Sequence, residues 1–183
     1  MAATSPSNAW FRIIQFEAAG SNGGGMGKWR NEQRLEPKIV LFVCTGNYYR
    51  SRFAELLFNS RARRERLGWQ AISRGLELTV QNVGPISSHV YSGLRARGVE
   101  LEYAGLRLPL PLSLGDLISA DRVVALKRDE HLPKITRKFP QWASRIEYWH
   151  VDDQDLATPD EAFQKIEHNV TALIKCLSAK DDS

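Results

Sequence analysis

The pattern of apolar residues is most distinctive where an unbroken apolar run, residues 39–43, stops at Cys44. A short polar loop follows, and an amphipathic pattern with an apolar stripe on one face begins at Ser51. Continuous apolar runs of this kind are typical of strands buried on both faces of a parallel sheet. The pattern therefore predicts a buried strand, a tight loop and a helix in direct succession.

Strand-like and helical patterns alternate along the rest of the chain. Further strands are predicted at residues 71–80, 122–126 and 145–149, and further helices at residues 85–97, 129–139 and 159–177. Capping residues support the helices, since Ser87, Ser113 and Thr158 each precede a helical pattern, while Gly68 and Gly98 are expected to end the first two. This alternation predicts an α/β fold, a three-layer sandwich with a central four-stranded parallel sheet and helices on both faces.

The first 37 residues differ in composition from the remainder. Residues 10–16 form a short apolar patch, residues 21–27 have the composition of a flexible linker, and no secretory signal pattern is present. We predict a flexible, dispensable arm at residues 1–37 and one folded domain at residues 38–180. Two alternatives remain open: Met26 is the native start, or residues 10–16 form a docking strand or helix.

The overall composition indicates one intracellular globular domain. Of the 183 residues 43% are apolar, and no stretch approaches the roughly 18 apolar residues that span a membrane. The net charge of +4 reflects 17 arginines beside eight lysines, and arginine suits the paired recognition of oxyanions. The two cysteines, Cys44 and Cys176, do not have the spacing of a disulfide framework. We therefore expect a cytoplasmic protein.

The loop between the first strand and the first helix has the residue types of an anion site around a nucleophile. Cys44 lies at its start and Arg50 six residues later, so a thiol and a guanidinium share one short loop. Gly46 can turn the backbone through positive φ, Asn47 tolerates the left-handed region, and Ser51 can point a hydroxyl into the loop. Backbone amides and the helix N-terminus favour an anion there. We interpret the segment as a phosphate-binding loop with a Cys44 thiolate.

Residues 43–55, VCTGNYYRSRFAE, resemble the active-site segment of low-molecular-weight protein tyrosine phosphatases, V-C-x-G-N-x-C-R-S-P-x-A-E. The resemblance extends over most of residues 38–177. It implies hydrolysis of a phosphomonoester through a phosphocysteine on Cys44, with Arg50 as the phosphate clamp and with no metal or cofactor. The loop residues that it implies for phosphate or substrate binding are Thr45, Gly46, Asn47, Tyr48, Tyr49 and Ser51. The expected activity is that of a protein tyrosine phosphatase.

The resemblance also implies a general acid, an aspartate in an Asp-Pro pair near the carboxyl end. Aligning Trp149 with the tryptophan that often precedes this pair places Asp153 at the catalytic position and Gln154 at the proline. Asp152 is the close alternative and Asp155 a more distant one, while an acidic surface loop without a catalytic role is a further interpretation. We expect Asp153 to protonate the leaving oxygen and then to activate water.

Several features depart from the family pattern. Tyr49 replaces the second active-site cysteine, so Cys44 lacks the protective disulfide of its relatives and is expected to reach irreversible oxidation more readily. Arg52 replaces a proline, which makes the helix entry less rigid. No tyrosine follows Asp153 to stack on a substrate ring, so Tyr48 is the expected pocket wall. The bulk of Tyr48 argues against the phosphoarginine branch, which resembles this loop but carries a threonine there.

Three other functions remain as alternatives. A catalytically weak or inactive phosphopeptide-binding relative would account for the departures. An arsenate reductase would need further cysteines, and Cys176 is expected to be a buried thiol in the last helix. The arginine cluster at residues 61–66 would serve nucleic-acid binding, but it lacks interleaved aromatic residues. The expected partner is a phosphorylated protein or a small phosphomonoester, without nucleic acid or membrane, and the oligomeric state stays open.

Overall fold

The computed structural model describes residues 36–153 and 157–181. The compact unit to which these residues belong spans Leu35–Ser183. The predictions for residues 1–35, and those for Gln154 and Asp155, lie outside the described residues. The division into an arm at residues 1–37 and a domain at residues 38–180 therefore stays a prediction.

The described residues include a sheet of four parallel strands in the order β2-β1-β3-β4. The strand bounds are Lys38–Cys44 for β1, Trp69–Gly75 for β2, Arg122–Ala125 for β3 and Glu147–Tyr148 for β4. The four-stranded parallel sheet expected from the sequence is confirmed. β3 and β4 are shorter than the apolar pattern predicted, since strand ends depend on pairing across the sheet as well as on local composition.

The predicted end of β2 at Val80 is wrong. The strand stops at Gly75, and Val80 is fully exposed. Beyond Gly75 the chain leaves the sheet and follows the loop after β1, where the amide of Leu76 donates to the carbonyl of Cys44 at 2.9 Å. The segment that has a strand-like sequence therefore supports the loop instead of extending the sheet.

The described residues form five α-helices: α1 Arg50–Glu65, α2 Ser88–Arg95, α3 Leu114–Ser119, α4 Arg128–Lys138 and α5 Pro159–Asp181. The predicted caps are confirmed, because the hydroxyls of Ser87, Ser113 and Thr158 each accept a backbone amide of the first helical turn. The predicted end of α1 at Gly68 is wrong. Arg66 ends this helix in the left-handed conformation, with φ of 54°. Among the described residues, no helix is long and apolar enough to cross a membrane.

The alternating side chains of β1 divide the core into two layers. Val40 and Phe42 belong to a cluster with residues of α1, α2 and α5, whereas Leu41 and Val43 belong to a second cluster with residues of α3 and α4. Successive side chains of a strand point to opposite faces, so helices cover both faces of the sheet. This arrangement is the predicted three-layer sandwich, and it places Cys44 at the carboxyl edge of the sheet.

Candidate active site

Cys44 is the last residue of β1, and only 2% of its surface is exposed. The Oγ atom of Ser51, in the first turn of α1, lies 2.9 Å from its Sγ atom. A cleft of about 590 Å³ reaches this sulfur, and Arg50 and Asp153 line the same cleft. The structure thus brings the predicted nucleophile, clamp and acid together at the N-terminus of a helix, where an anion is favoured.

Asn47 determines the shape of the loop. Its φ is 50°, and its Nδ2 atom donates to Ser51 Oγ at 3.1 Å and to Ser73 Oγ at 2.7 Å. The expectation that Asn47 tolerates the left-handed region is confirmed, and its own side chain holds this conformation. The positive φ expected at Gly46 is wrong. A Cβ atom at Gly46 would lie 2.9 Å from Nδ2 of Asn82, the end of a flexible side chain that can move aside.

A largely buried charged cluster supports Asn47. Nη1 of Arg107 donates to Asn47 Oδ1 at 3.0 Å, and Nη2 donates to Glu55 Oε2 at 2.9 Å. Glu55 also accepts from Nη1 of Arg52 at 2.6 Å and from Ser73 Oγ at 2.5 Å. Burial lowers the pKa of Arg107 to about 10, so this side chain remains charged at neutral pH. Charge-assisted hydrogen bonds therefore hold the turn at Asn47 in place.

Arg50 is almost completely buried and contacts two carboxylates. Its Nη1 and Nη2 atoms donate to Oε2 and Oε1 of Glu130 at 2.7 and 3.0 Å, which makes a bidentate ion pair. Nη2 also donates to Asp153 Oδ2 at 2.5 Å, and Nη1 donates to the carbonyl of Val151 at 3.3 Å. Nε has no hydrogen-bond partner among the described residues. The predicted clamp is thus held by Glu130, which was not among the residues predicted for the site.

Glu130 lies in the first turn of α4, where its carboxylate reaches the loop. The hydroxyl of Thr45 donates to it, and Nε2 of His131 lies 3.4 Å from its Oε1 atom. Burial acts to raise the pKa of Glu130, but the contact with His131 and the hydrogen bonds from Arg50 and Thr45 outweigh burial and hold the pKa well below its ordinary value of 4.5. Glu130 is therefore a carboxylate at neutral pH.

His131 is fully buried beside Glu130. Burial lowers the pKa of His131 below its ordinary value of 6.5, and the neighbouring Glu130 offsets only part of that effect. The Nδ1 atom of His131 accepts the backbone amide of Lys127 at 3.0 Å, so the neutral ring carries its proton on Nε2, the atom that approaches Glu130. A neutral histidine thus completes the surroundings of the carboxylate.

The two candidate acids have different surroundings. Asp153 lines the cleft and contacts Arg50. Asp152 instead pairs with Nζ of Lys127, and Nζ of Lys165 lies 3.3 Å from its other oxygen. The hydrogen bonds from Lys127 and Lys165 lower the pKa of Asp152 below its ordinary value of 3.8. Both carboxylates have cationic partners, but only Asp153 of the two lines the cleft with Cys44 and Arg50, and this location favours Asp153 as the candidate acid.

The two tyrosines of the loop take different places. The hydroxyl of Tyr48 donates to the carbonyl of Val83 at 2.8 Å, and Tyr48 lines the cleft. Tyr49 is only 6% exposed, and its ring packs against Phe163 with the centroids 5.1 Å apart. Burial, together with Asp153, raises the pKa of Tyr49 to about 12, so its hydroxyl stays protonated. Both tyrosines line the cleft, but Tyr49 also belongs to the core, whereas Tyr48 is only partly buried.

The expectation of a buried thiol at Cys176 is wrong. Cys176 is a free, exposed cysteine of α5. The helix buries Leu173, Ile174 and Leu177 against the core, and helical periodicity places Cys176 away from this stripe. Cys44 is also free.

Glu130 and the Arg107–Glu55 pair were not predicted from the sequence. One signal for Glu130 was present, because it follows a predicted strand, and the carboxyl ends of parallel strands meet at one edge of the sheet. Because β3 pairs with β1, the residues after β3 lie beside the loop that follows β1. Only the structure shows this pairing. Arg107 lies in a proline-rich segment without periodicity, so no local signal pointed to it.

The family model described as low molecular weight phosphotyrosine protein phosphatase matches residues 39–182 of the chain. The chain belongs to this family. It is 31% identical over 107 residues to a protein-arginine-phosphatase of Bacillus subtilis (strain 168), an alignment that covers 58% of this chain and 67% of that protein. The family resemblance stated from the sequence and the phosphatase function are both confirmed.

Solved structures of the family are similar as well. A low molecular weight protein tyrosine phosphatase from T. tengcongensis is 27% identical with a TM-score of 0.65, over 76% of this chain and 99% of that one. Another, from Bacillus subtilis, is 26% identical with a TM-score of 0.64, over 79% of this chain and 99% of that one. The substrate class of the chain is accordingly a phosphorylated compound.

Proposed function

We propose that this member of the family removes phosphate from phosphotyrosine in proteins, with Cys44 as nucleophile, Arg50 as phosphate clamp and Asp153 as general acid and base. The observation that carries the proposal is the meeting of these three side chains in one cleft of about 590 Å³. The Ser51 hydroxyl, 2.9 Å from the Cys44 sulfur, adds a donor for the thiolate.

In the first step, the Cys44 thiolate attacks the phosphorus atom of the bound monoester. The S–P bond forms while the bond from phosphorus to the leaving oxygen breaks, and the proton of Asp153 passes to that oxygen. Arg50 and the amides of residues 45–49 bind the other phosphoryl oxygens, whose negative charge they stabilise in the transition state.

In the second step, water hydrolyses the phosphocysteine. Asp153, now a carboxylate, accepts a proton from the water as the water oxygen bonds to phosphorus and the S–P bond breaks. The sulfur leaves as a thiolate, and the Ser51 hydroxyl stabilises it by hydrogen bonding. Phosphate departs and the enzyme returns to its starting state.

The walls of the cleft support an aromatic substrate. The Tyr48 hydroxyl bonds to the Val83 carbonyl, which orients the Tyr48 ring, and the half-exposed Leu78 lines the same cleft. Aromatic and aliphatic walls suit the phenyl ring of phosphotyrosine through stacking and apolar contact.

Phosphoarginine is the second candidate substrate, because the 31% identical relative is a protein-arginine-phosphatase. A guanidinium leaving group would need a carboxylate to accept its N–H groups, and Asp153 lines the cleft. The bulk of Tyr48 opposes this candidate, since it narrows the opening where that branch carries a threonine.

The reaction as proposed needs a reduced thiol at Cys44. Cys44 and Cys176 are both free, and reducing compartments keep cysteines in that state. We therefore propose a cytoplasmic location, which imaging of the tagged full-length chain would test. Enrichment outside the cytoplasm would contradict it.

The first test replaces Cys44 by serine. Hydrolysis of p-nitrophenyl phosphate should fall by roughly 10³-fold or more in Cys44→Ser, because the hydroxyl is a much weaker nucleophile than the thiolate. Cys176→Ser is the matched control and should keep wild-type turnover, since this thiol is exposed on α5. A wild-type protein that binds phosphotyrosine peptide without hydrolysing it would favour the phosphopeptide-binding alternative.

The second test addresses the substrate. Wild-type kcat/KM should be highest for a phosphotyrosine peptide in a panel with phosphoserine and phosphoarginine peptides. Tyr48→Thr should lower the phosphotyrosine value by about three- to tenfold, the size of an aromatic contact, while Tyr48→Phe should keep most of it. A wild-type preference for phosphoarginine would move the assignment to the second candidate.

A further inference from the structure

The contacts of Arg50 leave only one of its edges able to bind phosphate. A guanidinium has two edges that can hold a pair of acceptors, one formed by Nη1 and Nη2 and the other by Nη2 and Nε. Glu130 takes the first edge with both carboxylate oxygens, at 2.7 and 3.0 Å. The remaining Nη1 hydrogen goes to the Val151 carbonyl at 3.3 Å. A phosphoryl group can therefore form a pair of hydrogen bonds only at the second edge.

The second edge has one hydrogen bond where two can form. Asp153 Oδ2 accepts from Nη2 at 2.5 Å, whereas Nε has no partner among the described residues, although Arg50 is only 1% exposed. A buried donor without an acceptor is costly. An oxyanion with two oxygens at this edge would satisfy Nε and would replace Asp153 at Nη2.

We propose that Glu130 is a positioning residue that presents the Nε–Nη2 edge of Arg50 to the substrate phosphate, and that Asp153 occupies this edge until phosphate displaces it. The inference rests on the proposed function, because it concerns the same site. Displacement leaves the Asp153 carboxyl free of Arg50 and beside the phosphoryl group. Phosphate binding and the release of Asp153 from Arg50 are then one event.

Glu130 is suited to this role because it is itself held in place. The Thr45 hydroxyl donates to the Glu130 carboxylate that binds Arg50, and the buried His131 contacts the same carboxylate. Its position in the first turn of α4 places a negative charge where the helix dipole favours one. Arg50, which follows β1, is therefore oriented by a residue that follows β3.

Charge alone predicts the opposite effect of removing Glu130. A carboxylate beside Arg50 repels a phosphate dianion, so its removal should tighten phosphate binding if Glu130 did nothing else. If Glu130 orients the guanidinium, its removal should weaken phosphate binding, because Arg50 can turn its edges away. Glu130→Gln distinguishes charge repulsion from orientation of Arg50. Glutamine keeps the size of glutamate and one acceptor oxygen but cannot accept both N–H groups of Arg50.

The experiment measures the dissociation constant of inorganic phosphate from its protection of Cys44 against iodoacetamide, followed by mass spectrometry of the Cys44 peptide. No turnover is needed. We expect the constant to rise about tenfold in Glu130→Gln, as for the loss of a charged hydrogen bond. Asp129→Asn, an exposed neighbour in α4, removes the same charge and should change the constant less than about twofold. An unchanged or lower constant in Glu130→Gln overturns the positioning role.

Arg50→Lys provides the second comparison. Lysine is a point charge without edges, so Glu130→Gln should not raise the phosphate constant in the Arg50→Lys background. A purely structural role of Glu130 would lower the folded fraction and leave the constant unchanged, which contradicts the proposal. An equal rise in both backgrounds would show that Glu130 acts without Arg50, and would overturn it too.

Asp153→Asn tests the displacement and does not depend on the folding of a Glu130 variant. Phosphate should bind severalfold more tightly, because a neutral amide competes less for Nη2 and repels the dianion less. An unchanged or higher constant overturns the displacement.

Failure of wild-type protein to hydrolyse p-nitrophenyl phosphate would refute the proposed function, whereas an active wild type with tight phosphate binding in Glu130→Gln would refute only the role of Glu130.

Discussion

Asp152 and Asp153 are adjacent in the chain, yet their carboxylates pair with different basic residues. Asp153 contacts the guanidinium of Arg50 at 2.5 Å within the cleft. Asp152 is held by Lys127 and Lys165. Two adjacent aspartates therefore differ in location and in ion-pair partner: Asp153 lines the cleft beside the predicted clamp, whereas Asp152 is held by two lysines.

The roles of these two aspartates can be separated by isosteric replacement. Asp153→Asn should lower kcat for p-nitrophenyl phosphate by roughly 10²–10⁴-fold, because the leaving oxygen loses its proton donor. Asp152→Asn is the matched control and should stay within a few-fold of wild type. Steady-state kinetics of both variants decides the matter, and a severe loss in Asp152→Asn alone would transfer the acid role to Asp152.

At the scale of elements, the end of β2 and the loop after β1 are packed backbone against backbone. A Cβ atom at Gly75 would lie 2.8 Å from the carbonyl oxygen of Thr45 and 3.1 Å from Cβ of Asn47. The amide of Glu77 donates to the same Thr45 carbonyl at 2.9 Å. Glycine is needed at the end of β2 because the loop that carries the nucleophile passes so close to it.

This close approach makes Gly75→Ala informative. The added methyl group should lower the free energy of unfolding by about 1–3 kcal/mol, as in overpacked cores, and should also lower kcat by shifting the loop. Gly68→Ala is the control, since a Cβ atom there would meet nothing within 4 Å. Urea denaturation of both variants measures the difference, and equal stability of the two would refute the packing argument.

At the scale of the whole molecule, buried titratable groups couple stability to pH. The pKa of His131 is lowered by burial from its ordinary value of 6.5, so below that pH the unfolded chain binds a proton that the folded chain resists. The pKa of Glu130 lies below its ordinary value of 4.5, so the stabilisation by this carboxylate is present above that pH and is lost as the pH falls further.

We therefore expect the free energy of unfolding to decrease in two stages on acidification. The first stage begins below about pH 6.5 with a slope of at most about 1.4 kcal/mol per pH unit from His131, and the second begins below about pH 4.5. His131→Asn cannot titrate but keeps an acceptor for the Lys127 amide, so it should flatten the first stage only. Urea denaturation of wild type and His131→Asn between pH 4 and 7 tests this expectation. If the first stage is unchanged in His131→Asn, a group other than His131 causes it.

The sequence by itself determined the strand, loop and helix around Cys44, the capped helix starts and the family. These features depend on neighbours within a few residues: an apolar run, the Cys-to-Arg spacing, and hydroxyl side chains such as Thr158 that accept the next amides. Local interactions of this kind are encoded in order along the chain. Conformational freedom named both Gly46 and Asn47 for the turn through positive φ, and only the hydrogen bonds of the Asn47 side chain show which residue takes it.

Only the tertiary structure decided what surrounds the loop. Glu130 and Arg107 are 80 and 57 positions away from Arg50 in the chain, and they meet the loop because β3 lies beside β1 and the segment before α3 crosses the end of β2. Strand order follows from how apolar faces pack together, which no short window of sequence contains. The physical reason is that hydrogen bonds to buried charges are made between segments that packing, and not sequence distance, brings together.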